Sequence, residues 1–258
     1  MQHQIQIIPV PAFNDNYIWL IHNGVKAVAV DPGDAVPLLS VLNAQSLELE
    51  AILITHHHQD HIGGVDALLS KFPDVQVFAP RLERYHFRHV PVSEPDKFRC
   101  TGWLTEIKVL DVPGHTLGHI AFYMEHAGKK WLFCGDTLFG AGCGRLFEGT
   151  PSQMLASLQK LAALPPETQV FCTHEYTLQN IDFALSIEPD NEALARRQQE
   201  TAAMRKAQLP SLPSTIALEL ATNPFLRCES KQIQLSTHLP NQPLLQVFTK
   251  VRELRNSY

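Results

Sequence analysis

The chain has 258 residues and a mass of 29.0 kDa, with 45% hydrophobic and 18% charged residues. That balance suits a globular protein with a sizeable core and excludes collagen-like, coiled-coil and disordered architectures. Lys plus Arg is 21 against Asp plus Glu 26, a net charge of -5, and no segment carries the basic surplus that nucleic-acid binding requires, so nucleic acid is not an expected partner.

Short apolar runs between turn residues predict strands over Gln6–Val10, Tyr17–His22, Lys26–Val30, Ala51–Ile54, Val75–Phe78, Ile107–Val112, Ile120–Met124 and Trp131–Cys134. Few helical segments separate them, notably Ala35–Leu42 and Gly64–Phe72. Strict β-α alternation is therefore not the plan, and two packed sheets with outer helices fit better. Pro151–Leu164 reads as a helix with proline in its first turn, followed by a last buried strand, Gln169–Cys172. After His174 the texture turns helical, over Leu178–Ile187, Glu192–Gln208 and Ser214–Ala221. The expected organisation is an α+β domain over 1–174 and a helical domain over 175–258. The segment Met1–Val10 lacks a basic run followed by an apolar stretch, and no window reaches the roughly 20 apolar residues of a membrane span. The expected compartment is the cytoplasm, and the expected state a monomer. Five scattered cysteines without a Cys-x-x-Cys pair suggest neither a disulfide framework nor a zinc ribbon.

Thirteen histidines are the unusual feature of the composition, because imidazole is the side chain most used for metal ligation. Thr55-His56-His57-His58-Gln59-Asp60-His61 follows a predicted strand and precedes Gly63-Gly64, which opens a helix. Alternate residues of extended backbone point the same way, so His56 and His58 can bind one cation while His57 faces elsewhere. As the chain turns into the helix, Asp60 and His61 are displaced to the neighbouring side, where they can hold a second. Two ions need more donors, and His115, Asp136 and His174 each close a predicted strand. A carboxylate has two oxygens, which nominates Asp136 as the shared ligand, with His115 and His174 completing one site each. His119 begins a strand and is read as a structural hydrogen-bonding residue, with His57 a second choice for the metal. His3, His22, His86, His89, His126 and His238 have no partner pattern and are assigned surface or packing roles.

These residues resemble the metallo-β-lactamase superfamily. Within it they resemble glyoxalase II, the hydroxyacylglutathione hydrolases, through Phe13-Asn14-Asp15-Asn16-Tyr17, Thr55–His61, Cys134-Gly135-Asp136-Thr137-Leu138-Phe139, Gly142-Cys143-Gly144, Thr173-His174-Glu175-Tyr176 and Asn223-Pro224-Phe225. The resemblance implies a four-layer αββα sandwich followed by a helical domain that helps form the thioester site. It implies two divalent metal ions, zinc with iron and manganese as alternatives. The first would be held by His56, His58, His115 and Asp136, the second by Asp60, His61, Asp136 and His174. It places glutathione contacts on Arg145, Tyr176, Arg252 and Arg255. Phe147 stands where some relatives have Tyr, so a family hydrogen bond is missing there.

The implied activity is hydrolysis of S-(2-hydroxyacyl)glutathione, such as S-D-lactoylglutathione, in methylglyoxal detoxification. Two cations supply hydroxide and polarise the carbonyl, and Asp60 orients the hydroxide. A thiolate leaves readily, so no potent general acid is needed. Cys143 has no base paired with it in the sequence and is not expected to act as a nucleophile. Two competitors are an iron-dependent persulfide dioxygenase on the same scaffold, which needs only one metal, and a metal-stabilised binding module without catalysis.

Overall fold

The computed structural model describes residues 4–258; His3 lies outside the described residues. The elements in chain order are β1 (Gln6–Ala12), β2 (Asn16–His22), β3 (Lys26–Val30), α1 (Ala35–Ala44), β4 (Glu48–Leu53), α2 (Gln59–Ile62), α3 (Val65–Lys71), β5 (Gln76–Pro80), β6 (Val90–Val92), β7 (Lys97–Phe98), β8 (Ile107–Asp111), β9 (Ile120–His126), β10 (Lys129–Gly135), β11 (Leu138–Phe139), β12 (Gly142–Cys143), α4 (Pro151–Ala162), β13 (Gln169–Cys172), α5 (Thr177–Ile187), α6 (Glu192–Lys206), β14 (Ser214–Thr215), α7 (Ile216–Thr222), α8 (Lys231–Ser236) and α9 (Leu244–Ser257). They divide into two units. The first runs to Asp111 and resumes over Gly118–Gly135; the second is Val112–Leu117 with Asp136–Tyr258.

In the first unit a six-stranded sheet has the order β1-β2-β3-β4-β5-β6. β1, β2 and β3 pair antiparallel, whereas β3 to β6 run parallel. Helices α1 and α3 carry the chain back between β3, β4 and β5, and the loop over 81–89 does so between β5 and β6. The pleat sorts the side chains. Ile18, Leu20, Ala29, Ile52 and Val77 share a buried cluster with Leu38, Leu42, Val65 and Leu68 of the two helices, while their neighbours Trp19, Leu53 and Phe78 point the other way and are buried too. β2 is accordingly buried at every position, as a strand covered on both faces must be. The opposite face meets a second, antiparallel set, β7-β8-β9-β10. There Phe78 stacks on Phe98 with ring centroids 4.3 Å apart, and Phe98 meets the edge of Phe122.

The second unit is mainly helical. Thr150 caps α4 in a reciprocal box with Gln153 and Pro151 opens the helix, satisfying amides that the first turn leaves over. α5 packs on α6 through Ile181, Ala184 and Leu194, and Phe183, Phe225 and Phe248 make successive ring contacts. Ser214 was expected to open a helix; instead Ser214–Thr215 pairs with β13. Helix α7 starts at Ile216, where the Thr215 hydroxyl accepts the Leu218 amide. The short strands β6, β7, β11 and β12 are additions to the expected set, too brief to show a periodicity.

Candidate metal centre and substrate-binding residues

In the first unit the loop after β4 is fixed from below by Asp31, at the end of β3. Its Oδ1 accepts the Thr55 amide at 2.8 Å, and its Oδ2 accepts the Thr55 hydroxyl at 2.7 Å and lies 2.9 Å from His61 Nδ1. Asp31 is 2% exposed and sits at φ +51°, a backbone state that non-glycine residues occupy only when their surroundings hold them there. A carboxylate on Nδ1 makes that nitrogen the protonated one and leaves Nε2 as the donor, the arrangement that metal-binding histidines use. His61 Nε2 faces Asp60 Oδ2 at 3.6 Å, and Asp60 also accepts from Asn16 Nδ2 at 3.0 Å.

His56 Nε2 and His58 Nδ1 are 3.1 Å apart. Two nitrogens bound to one tetrahedral cation at 2.0–2.1 Å stand about 3.3 Å apart, so this pair already has nearly the span of a shared ligand site. The Thr55 hydroxyl lies 3.1 Å from His56 Nδ1, which again assigns the proton to the outer nitrogen. His57 turns to Glu83, Nδ1 to Oε1 3.1 Å. His119 stacks on His56, centroids 4.6 Å and planes 20° apart. Gly135, at the end of β10, has φ +47°, and a Cβ there would lie 2.3 Å from Thr55 Oγ1, so the residue preceding Asp136 has to be glycine.

In the second unit Asp136 Oδ2 lies 3.4 Å from His115 Nε2 and 3.3 Å from His174 Nε2. The outer nitrogen of His115 is again occupied, with Nδ1 2.8 Å from the Arg145 carbonyl. The same Asp136 oxygen thus approaches both imidazoles. His174 stacks on Tyr176 at 4.7 Å with planes 4° apart, and both rings meet the edge of Phe139. Phe147 is exposed and touches the His115 ring edge-on.

The four expected glutathione contacts all belong to this second unit. Arg145 is exposed. Arg252 is buried, with Nη1 2.8 Å from the Cys143 carbonyl and its guanidinium over the Phe225 ring. Arg255 bonds Asn180 Oδ1 through Nε and Nη2. Burial, and then the charges of Arg252 and Arg145, push the Arg255 guanidinium below its ordinary value, a repulsion that an anionic ligand relieves. Cys143 is buried, and burial raises its thiol despite Arg252 beside it. Sequence reasoning missed Asp31; its one signal is the strand end Val30-Asp31-Pro32-Gly33.

The metallo-beta-lactamase superfamily model matches residues 13–174, and the model for the hydroxyacylglutathione hydrolase C-terminus matches 175–258. A hydroxyacylglutathione hydrolase of Methylobacillus flagellatus is 55% identical over 253 residues, 98% of this chain and 99% of that protein. The chain belongs to the hydroxyacylglutathione hydrolases. Another, from Vibrio parahaemolyticus, is 50% identical over 98% of this chain and its own full length. Among solved structures, TTHA1623 in a di-iron-bound form aligns with a TM-score of 0.61 at 28% identity, covering 85% of this chain and all of that one. ETHE1 from Myxococcus xanthus aligns with a TM-score of 0.63 at 24% identity over 98% and 99% of the two chains, a likeness of fold. The fold of this hydroxyacylglutathione hydrolase is thus the α+β metallo-β-lactamase fold with a helical region after it. Its His and Asp donors, mostly buried, are of the residue types that bind divalent metal ions.

Proposed function

We propose that this chain hydrolyses S-(2-hydroxyacyl)glutathione thioesters, such as S-D-lactoylglutathione, to glutathione and a 2-hydroxy acid in methylglyoxal detoxification. Membership of the hydroxyacylglutathione hydrolases supports the reading. The observation that carries it furthest is the donor chemistry: Asp31 and the Arg145 carbonyl occupy the outer nitrogens of His61 and His115, leaving the inner ones to ligate. His56, His58, His115 and Asp136 would hold one divalent cation, and Asp60, His61, Asp136 and His174 a second, zinc by preference with iron and manganese as alternatives. Bound there, the pair supplies a hydroxide at neutral pH and a Lewis acid for the thioester carbonyl.

The chain's own residues do the rest. Asp60, held by Asn16, orients the attacking oxygen. Arg145, Tyr176, Arg252 and Arg255 bind the glutathione moiety, the exposed Arg145 offering a bidentate fork to a carboxylate. Arg252 also bonds the Cys143 carbonyl, so it shapes the Gly142–Gly144 turn as it adds charge. The C–O bond forms and the C–S bond breaks. Glutathione leaves as thiolate and takes its proton from solvent, so no general acid is required.

We place the division of labour at 174/175, with metal ligands before it and glutathione contacts mostly after it. The protein works as a monomer in the cytoplasm, where its five cysteines, none of them in a disulfide, stay reduced. Among the described residues no helix is long and apolar enough to cross a membrane. The test is release of free thiol from S-D-lactoylglutathione by the purified protein, with oxygen uptake on glutathione persulfide followed in parallel. Thiol release without oxygen uptake is expected. Oxygen uptake without thiol release, or neither, overturns the assignment.

A further inference from the structure

A buried carboxylate remote in sequence from every proposed ligand lies under the hairpin that follows Asp136. Glu219, on α7, is 0% exposed. Its Oε1 accepts from Arg197 Nη2 at 2.6 Å and from the Ser214 hydroxyl, and its Oε2 accepts the Ala141 amide at 2.8 Å and Asn223 Nδ2 at 2.9 Å. Four donors on one carboxylate amount to full satisfaction, which is what makes a charge tolerable at this depth. Three of the donors, Arg197, Ser214 and Asn223, come from α6 and the segment around α7. The Ala141 amide belongs to the tip of the β11–β12 hairpin, where Ala141 sits at φ +53°.

Asn223 grips the same hairpin at two more points. Its Nδ2 reaches the Gly142 carbonyl at 2.8 Å and the Phe139 carbonyl at 3.2 Å, while its Oδ1 accepts the Phe225 amide. Asn180 Nδ2 bonds the Gly140 carbonyl at 3.0 Å. The tip's backbone polar groups thus end on side chains of the helices. At the other end, the base of the hairpin is closed by the Gly144 amide on the Thr137 carbonyl at 3.1 Å. It presses on Asp136: a Cβ on Gly144 would lie 1.9 Å from the Asp136 carbonyl oxygen and 3.3 Å from His115 Cβ. The next carbonyl, that of Arg145, orients His115.

We propose that Glu219 and Asn223 are positioning residues, which hold the Leu138–Cys143 hairpin and through its base fix Asp136 and His115 as ligands. The inference rests on the functional reading above. It assigns to Asn223-Pro224-Phe225 and the Arg197–Glu219 pair a task in the metal centre, beyond packing of the helices. Arg197 is the cationic partner of the Glu219 carboxylate and also bonds the Thr222 hydroxyl at 2.6 Å.

The test compares Asn223→Ala, Glu219→Met and the double variant Arg197→Met/Glu219→Met. Metal per chain after dialysis against a weak chelator, kcat, KM and Tm are measured on each. Asn223→Ala leaves the ion pair whole, and outer-sphere changes of this kind cost roughly 10–100-fold in metal affinity or activity. A fall of that size in kcat and in retained metal is expected, with KM within about threefold because the exposed Arg145 side chain can readjust. Glu219→Met strands Arg197, and replacing both partners by apolar residues recovers Tm. The Ala141 amide still lacks its acceptor in the double variant, so metal retention and kcat stay low.

Recovery of both together with Tm would make the pair a packing device and overturn the proposal, as would an Asn223→Ala protein with full metal and kcat within twofold of the parent. Should the parent itself release no thiol, the functional reading fails while the metal measurement still decides the positioning role.

Discussion

Asp31 takes three hydrogen bonds, and each comes from a donor on the strand-to-helix loop. An amide in its place can satisfy at most part of that set, because its NH2 face meets N–H or O–H groups. Asp31→Asn is therefore expected to lower metal affinity or kcat by roughly 10–100-fold with little change in fold; metal analysis and steady-state kinetics check it, and a variant with full metal and turnover contradicts it. Cys143 illustrates the converse. Its thiol is buried and held above its ordinary value, its carbonyl is the group that Arg252 uses, and a protonated thiol is a poor nucleophile. Cys143→Ala should keep turnover within a few-fold, and near-complete loss in the thiol-release assay would revive a covalent route. The donor-rich loop was legible because His56, His58, Asp60 and His61 are adjacent in sequence and their spacing carries the chemistry. Asp31 was not. It meets Thr55 and His61 across 24 and 30 residues, a proximity created by the parallel pairing of β3 and β4.

Helix α5 ends at Glu188, whose carboxylate gathers Arg227 through a bidentate pair at 2.8 Å on each oxygen, together with Asn191 and Ser230. Burial alone would raise its pKa; the hydrogen bonds from Arg227, Asn191 and Ser230 and the charge of Arg227 outweigh it and hold the group below 4.5. The folded value is the lower one, so the stabilisation is complete above pH 4.5 and is lost as the pH falls from there through the folded value. A Glu188→Gln variant should be less stable than the parent near neutrality, with the Tm gap closing below pH 4.5. A gap independent of pH contradicts this. The same scale shows what pattern reading can reach. Strands β2 to β5 and β8 to β10 were expected within a few residues of where they lie, because each is a short run of apolar side chains, continuously buried in β2 and over most of β10. The hairpin β11–β12 was missed for the opposite reason: two-residue strands have no period, and their partners Asn180, Glu219 and Asn223 lie 40 to 84 residues downstream.

Across the whole chain, a net charge of -5 coexists with a concentration of arginines among Arg145, Arg252 and Arg255. An acidic body with a local cationic cluster suits a small anionic substrate better than a polyanion. The class of fold was legible in the apolar runs, and the proposed ligands could be named because metal chemistry favours His and Asp at strand ends; the residues that hold those strand ends in place were not legible, since their hydrogen bonds are made only after folding. The central claim is that seven His and Asp side chains hold a pair of cations on which thioester hydrolysis depends. The most direct measurement is a titration of the chelator-treated protein with Zn(II), following thiol release from S-D-lactoylglutathione against bound metal per chain. The expected curve rises from near zero and reaches its plateau at about two equivalents. Full hydrolysis in the chelated protein, with no bound metal and no response to added Zn(II), would contradict it.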